Sequence, residues 1–139
     1  MRRFVLGTAT VAAVVAAAVV ATGGGASVAP PRLLSCSGKA LLRPTGTVVL
    51  SCADANSELR STHWLSWGRT AAVGTTDFGL NLCTPTCAAS STTFFSHSRV
   101  RLTGVAHTKQ GPRFGRAVVT YVLRGKTKTF VAYLPTRPQ

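Results

Sequence analysis

The sequence AVVTYVLRGKTKTFVAYL, residues 117–134, has the form of a β-hairpin. Its two halves are rich in β-branched and aromatic residues, and the polar segment between them contains one glycine. Glycine at the first central position of a two-residue loop is typical of a type II′ turn, so we expect the loop to be Gly125-Lys126. In that register Tyr121 lies opposite Phe130, Val119 lies opposite Ala132, and both aromatic rings face the core.

The preceding segment is predicted to be an amphipathic strand. Val100 and Leu102 alternate with Arg99 and Arg101, so one face is apolar and the other is charged. Residues 47–52 and 60–67 also have strand character, and residues 68–82 contain three glycines, which favours a bulged or irregular strand. Because no segment sustains a helical period, we predict an all-β, disulfide-stabilised antiparallel β-sandwich, immunoglobulin-like or similar.

The N-terminus predicts export. Met1 is followed by two arginines and then by an uncharged stretch, residues 4–21, that ends in small residues. This pattern is typical of a secretory signal peptide cleaved after Ala26. The alternative is an uncleaved membrane anchor, since the apolar stretch is about long enough to span a bilayer. We therefore predict a signal peptide (1–26), a flexible leader (27–35), a single β domain (36–135) and a C-terminal tail (136–139).

Four cysteines predict two disulfides, because exported small domains use such bonds to supplement a thin core. We expect Cys36 to pair with Cys52 and Cys83 to pair with Cys87, since the Thr-Pro-Thr segment between the latter two suits a tight turn. A zinc site would need two closely spaced cysteine pairs, and the first two cysteines are too far apart for that. No metal ligand is predicted.

The charge distribution predicts an affinity for polyanions. The chain has 16 basic and three acidic residues, and without residues 1–26 it keeps 14 basic residues and a formal charge of +11. No acid occurs from Phe78 to the C-terminus. Outside the cell the expected partners are anionic envelope polymers or lipid headgroups, with nucleic acid disfavoured. The alternative is that the charge only keeps the domain soluble. The candidate anion-binding residues are Arg99, Arg101, Arg116, Arg124, Lys126 and Lys128.

Two tryptophans are candidates for contacts with a ligand. Trp64 and Trp67 are three residues apart, which in a regular strand places them on opposite faces. One of them could form a stacking platform for a sugar or a peptide, and packing in the core is the alternative.

No catalytic residue or cofactor is predicted. Asp54, Glu58 and Asp77 are the only acids, and the chain lacks a G-x-S-x-G motif. A non-enzymatic exported module is therefore the first hypothesis. A secreted hydrolase would require His63 or His97 to meet one of the aspartates in a pocket. An inhibitor-like interaction module would require residues 84–86 to be exposed.

Three motifs carry a resemblance to a known group. CADAN at 52–56, the two tryptophans, and NLCTPTCA at 81–88 resemble small uncharacterised secreted actinobacterial proteins. The motifs of that group are C-A-D-G-N, W-x-x-W and N-D-C-x-P-x-C-A, or N-x-C-x-P-x-C-A where the second residue varies. Here Ala55 replaces the glycine and Leu82 replaces the aspartate. The resemblance implies export and two disulfides, and it brings no established activity, substrate or partner.

Overall fold

The computed structural model describes residues 28–137, and every regular element in that range is a β-strand. The predicted signal peptide, Ser27 and the last two residues lie outside the described residues. The eight strands are β1 (Leu33–Leu34), β2 (Ala40–Leu41), β3 (Val48–Val49), β4 (Ser57–Trp67), β5 (Ala72–Asn81), β6 (Thr92–Thr108), β7 (Gly111–Leu123) and β8 (Lys126–Tyr133).

The strands form two antiparallel sheets. β1 pairs with β2, and β3 to β8 form a six-stranded sheet in which each strand pairs with the next one along the chain. The predicted all-β antiparallel class is confirmed. The connectivity is a meander, without the crossovers of an immunoglobulin domain.

The six-stranded sheet is strongly curled. Phe78 on β5 and Phe130 on β8 have ring centroids 5.2 Å apart, although β6 and β7 lie between their strands. Three strand spacings in a flat sheet would separate them by about 14 Å. The sheet therefore rolls around one core and has an enclosed inner face and a solvent-facing outer face, which produces the layering expected of a sandwich.

Alternation along the long strands fills this core. Val100 and Leu102 are fully buried on the inner face, and Arg99 and Arg101 are exposed on the outer face, as predicted. Across β6 and β7, Val100 lies opposite the equally buried Val119. The bulk of the core comes from a few large side chains. The largest of them are Phe78, Phe114, Leu33, Leu50, Leu59 and Leu102.

The hairpin forms, but its predicted turn is wrong. Arg124 and Gly125 occupy the two central positions with φ of 51° and 74°, the left-handed pair of a type I′ turn. Consequently Tyr121 lies opposite Lys128, and Val119 lies opposite Phe130. A glycine satisfies either turn, at the first position of type II′ or at the second of type I′. Because the two registers differ by two residues, the same side chains still face the core.

The prediction that the tryptophans lie on opposite faces is also wrong. The pairing of β4 with β5 shifts between Trp64 and Ser66, which leaves Leu65 as an extra, exposed residue. A β-bulge of this kind changes the alternation by one position, so both indoles reach the inner face. The rings of Trp64 and Trp67 meet edge to face with centroids 4.7 Å apart.

The predicted flexible leader is ordered from Pro31 onward. The Arg32 amide donates to the Pro112 carbonyl, and the Arg32 carbonyl accepts from the Phe114 amide, both at 3.0 Å. Leu33 is fully buried in the core, and the Trp67 indole N–H donates to the Pro31 carbonyl at 2.8 Å. Leu33 and Leu34 thus pack the N-terminal segment against the rolled sheet. The sequence pattern does not predict this, because a strand of two residues is too short to show a period of two.

Both predicted disulfides are confirmed. Cys36–Cys52 ties the turn between β1 and β2 to the chain leaving β3, and Cys83–Cys87 closes a small loop after β5. This second loop, residues 83–87, is called the cysteine loop below. Two disulfides in so small a domain indicate an oxidising compartment. In residues 28–137 no helix has the length and apolar character needed to cross a bilayer.

Candidate anion-binding surfaces

Three of the six predicted cationic residues share the outer face of the sheet. Arg99 and Arg101 lie two residues apart on β6, and Arg116 on β7 lies diagonally across from Arg101, because Arg101 pairs with Val118. Diagonal neighbours of this kind are about 7 to 8 Å apart. All three side chains are exposed. Arg99, Arg101 and Arg116 are called the outer basic face.

The residues around this face are mostly hydroxyl-bearing or apolar. Arg99 has Thr75 on one side and Thr120 on the other, and Arg116 lies between Thr103 and Tyr133. Tyr133 is 83% exposed, the highest value among the large apolar and aromatic side chains of residues 28–137. Tyr133 is not among the predicted site residues, although it follows Phe130 by three residues in the returning strand and alternation therefore places it on the outer face.

Glu58 and Asp77 lie on the same side of the sheet as these arginines, next to Arg60. The Glu58 carboxylate forms an ion pair with the Arg60 guanidinium at 2.8 Å, and Asp77 is the strand partner of Arg60. The Arg60 guanidinium also lies 4.2 Å from the ring centroid of Phe94. Within residues 28–137 this is the one ion pair. The three arginines of the outer basic face therefore keep their charges available for a ligand.

Lys126 and Lys128 do not join that face. The type I′ register places them opposite Leu123 and Tyr121, on the inner side of the sheet. Together with Arg124 they line a groove of about 410 Å³ at the end of the β7–β8 hairpin, called the hairpin-tip groove. Its other lining residues are Leu82, Thr84 and Leu123. The six predicted cations thus form two groups of three, one on the outer face and one at the hairpin tip.

Two other grooves carry fewer cations. One, of about 540 Å³, contains His107, Lys109 and Arg137, and the other, of about 530 Å³, lies between residues 50–54 and 130–135 and contains Asp54. Half of the residues lining the hairpin-tip groove are cationic, so it is the groove best suited to an anion.

The candidate aromatic residues use their polar groups inside the protein. The Trp64 indole N–H donates to the Pro44 carbonyl at 2.9 Å, as that of Trp67 does to Pro31. Trp67 is only 9% exposed and also packs against Phe114. These contacts fix the loop before β3 and the N-terminal segment against the sheet. The exposed aromatic ring beside the cations is that of Tyr133.

The described histidines and acids are scattered. Among residues 28–137 no three His, Cys, Asp or Glu side chains come together as a metal site. His63 and His97 are exposed, and within the same residues neither forms a hydrogen bond with a carboxylate. The Asp54 carboxylate instead accepts from the backbone and side-chain nitrogens of Asn56, which makes it part of a turn.

No protein-family model, curated protein or solved structure matches this chain. The resemblance carried by the cysteine and tryptophan motifs stays a prediction. A function has to be inferred from the arrangement of charges on the domain itself.

Proposed function

We propose that this protein is an exported, non-enzymatic domain that binds an anionic polymer of the cell envelope through the outer basic face. One observation carries the proposal. Arg99, Arg101 and Arg116 are exposed neighbours on a sheet face, and the acids of that face are gathered around Arg60. Unpaired arginines at this spacing lie within one Debye length of each other, so their fields add.

The chemistry of the face suits an extended polyanion. A guanidinium group presents several N–H donors in a planar fork that matches phosphate and carboxylate groups. The threonines beside Arg99 and Arg116 supply further hydroxyl groups, and the exposed Tyr133 ring supplies a surface for apolar or sugar contacts. A sheet face offers a long, shallow surface, which fits repeating anionic units better than one compact ligand.

Export to the envelope is supported by two features. The N-terminal residues have the charge and apolar pattern of a signal peptide, and the two disulfides indicate an oxidising compartment. An exported domain meets anionic wall polymers and lipid headgroups before it meets nucleic acid. The polymer is favoured because its repeated anionic groups match the spaced arginines of the outer basic face.

A comparison of two charge-reversed variants tests the location of binding. R99E/R101E/R116E removes the outer basic face, and K39E/R69E/K109E makes the same change in net charge, from +11 to about +5, at exposed positions elsewhere. Binding to polyphosphate and to isolated cell-wall material is then measured at low salt. We expect the first variant to lose binding and the second to retain most of it.

Two results would contradict the proposal. Equal losses in the two variants would mean that only net charge matters, and the absence of polyanion binding by the parent protein would leave the face as a solvated surface. Binding to phosphatidylglycerol vesicles without binding to the polymers would mean that the partner is an anionic membrane surface.

A second candidate function is an inhibitor-like interaction with another protein. It is favoured by one observation, the exposure of Thr84, Pro85 and Thr86 in the cysteine loop. A disulfide-closed loop of this size is a rigid element for insertion into a partner's cleft. Capture of a partner by the parent domain, and its loss in a T84A/P85A/T86A variant, would support this candidate.

A further inference from the structure

We infer that the hairpin-tip groove is a discrete binding site for a phosphate group, and that the cysteine loop exists to form one of its walls. The site is separate from the outer basic face, because its lysines lie on the opposite side of the sheet. It therefore does not depend on the polymer-binding proposal.

The cations of the groove are placed where the core ends. Tyr121 is the last buried residue of β7, and Lys128 lies directly opposite it on β8. Lys126 lies on the same face of β8, two residues closer to the hairpin turn. Arg124 is one of the two central residues of that turn. All three side chains are exposed, and none of the acids in residues 28–137 lines the groove. Three like charges so close together repel one another, and a bound anion would relieve that repulsion.

The facing wall is held rigidly by Asn81. Its side-chain amide nitrogen donates to the carbonyls of Cys87 and Ser90 at 2.8 and 3.3 Å. Its side-chain oxygen accepts from the Cys83 amide at 2.9 Å and from the Ser90 hydroxyl. With the disulfide, these bonds fix the cysteine loop at both ends. A wall that is already ordered costs little conformational entropy when a ligand binds.

This wall gives the NLCTPTCA motif a physical role. Asn81 and the two cysteines shape the loop from inside, while Leu82 and Thr84 face the groove. The Thr84 hydroxyl donates to the Leu82 carbonyl at 3.2 Å, and its oxygen can still accept from a protonated ligand. The motif and the RGKTK segment, more than 30 residues apart in the chain, thus meet to build one site.

The lining favours a phosphate group as ligand. A phosphate monoester carries nearly two negative charges at neutral pH and three acceptor oxygens, which match two ammonium groups and one guanidinium. Leu82 and Leu123 provide apolar contacts for a short organic substituent. A volume of about 410 Å³ exceeds that of bare phosphate and falls in the range of small-ligand sites. The phosphate could be a small monoester or the end of a phosphate polymer.

Backbone-amide NMR with small phosphates tests the site. Inorganic phosphate and glycerol 3-phosphate are titrated in separate arms, and short polyphosphate in a third. We expect saturable shifts at residues 82–84 and 123–128 and at least tenfold weaker binding of the small phosphates in K126Q/K128Q. Binding of inorganic phosphate and of glycerol 3-phosphate should be unchanged in R99E/R101E/R116E. Tighter binding of glycerol 3-phosphate identifies a monoester, and tighter binding of polyphosphate identifies a polymer end.

The wall is tested by loosening the loop without touching the cations. Asn81→Ala removes its hydrogen bonds, and C83S/C87S removes the disulfide. We expect each to weaken phosphate binding severalfold while the amide shifts of the strand residues stay dispersed as in the parent protein, which shows that the domain remains folded. In the arms with inorganic phosphate and glycerol 3-phosphate, linear, non-saturating shifts, equal shifts at the outer arginines, or full affinity in K126Q/K128Q would overturn the inference.

Discussion

The ring of Phe78 on β5 packs against the ring of Phe130 on β8, with 5.2 Å between the centroids. Phe78 also contacts Tyr121 at the same distance and Phe95 at 6.3 Å, so one fully buried ring joins four strands. This contact set forms only if the sheet rolls up. The curvature and the aromatic cluster therefore stabilise each other.

Phe78→Ala should lower the free energy of unfolding by about 3–5 kcal/mol, the usual cost of removing a buried phenylalanine. Phe94→Ala is the matched control. Phe94 lies on the outer face, is 39% exposed, and its main contact is with Arg60, so its loss should cost about 1 kcal/mol or less. Urea unfolding followed by tryptophan fluorescence measures both. Similar losses in the two variants would mean that the sheet does not close around Phe78.

A second prediction concerns the close approach of β4 and β5 beside the tryptophans. A Cβ atom on Gly74 would lie 2.7 Å from the His63 carbonyl oxygen and 3.1 Å from the Trp64 ring. Since the backbone cannot easily move there, Gly74→Ala should destabilise the domain by about 1–3 kcal/mol. Gly46→Ala meets no atom within 4 Å and should change stability by less than about 1 kcal/mol. Comparable stabilities of the two variants, measured by thermal unfolding, would argue against this packing.

The third prediction concerns the N-terminal segment. Leu33→Ala should cost about 2–5 kcal/mol, because Leu33 is fully buried, whereas Leu42→Ala, at 47% exposure, should cost little. Chemical denaturation compares the two.

Intact-mass analysis of the exported protein should place its first residue near Ser27, a few residues before the buried Pro31. A mature chain that starts after Leu33, or a Leu33→Ala variant as stable as the parent protein, would mean that this segment is a flexible leader and not part of the core.

Local chemistry was sufficient to predict part of this structure. The alternation of Val100 and Leu102 with Arg99 and Arg101 has the period of a strand, and it places the outer arginines correctly. The disulfide pairs follow from short sequence separations, which leave few geometries open. The hairpin at Arg124 follows from two β-rich halves around a glycine.

The remaining features depend on long-range packing, which leaves weak local signals. The bulge at Leu65 adds one residue to β4 and reverses the expected faces of the tryptophans, yet no residue type there requires a bulge. The turn choice at Arg124 places Lys126 in the strand opposite Leu123 and not in the loop, and a glycine satisfies both turns. The curl that brings Phe78 to Phe130 is a property of the whole sheet.

The last prediction concerns the salt dependence of polyanion binding by the outer basic face. Each cation that neutralises a phosphate displaces about 0.7 to 0.9 counterions from a nucleic-acid-like polyanion, so the logarithm of the binding constant falls with the logarithm of salt in proportion to the number of contacts. Neutralising three contacts in R99Q/R101Q/R116Q should therefore reduce the slope by about 2 to 3. K39Q/R69Q/K109Q removes the same charge from other exposed sites and should leave the slope within about one of the parent value. Polyphosphate titrations between about 50 and 200 mM salt measure the slopes. Identical slopes in the two variants would mean that the polymer contacts no particular side of the sheet. A larger reduction for the three outer arginines than for three other exposed cations is expected only if the polymer binds at those arginines.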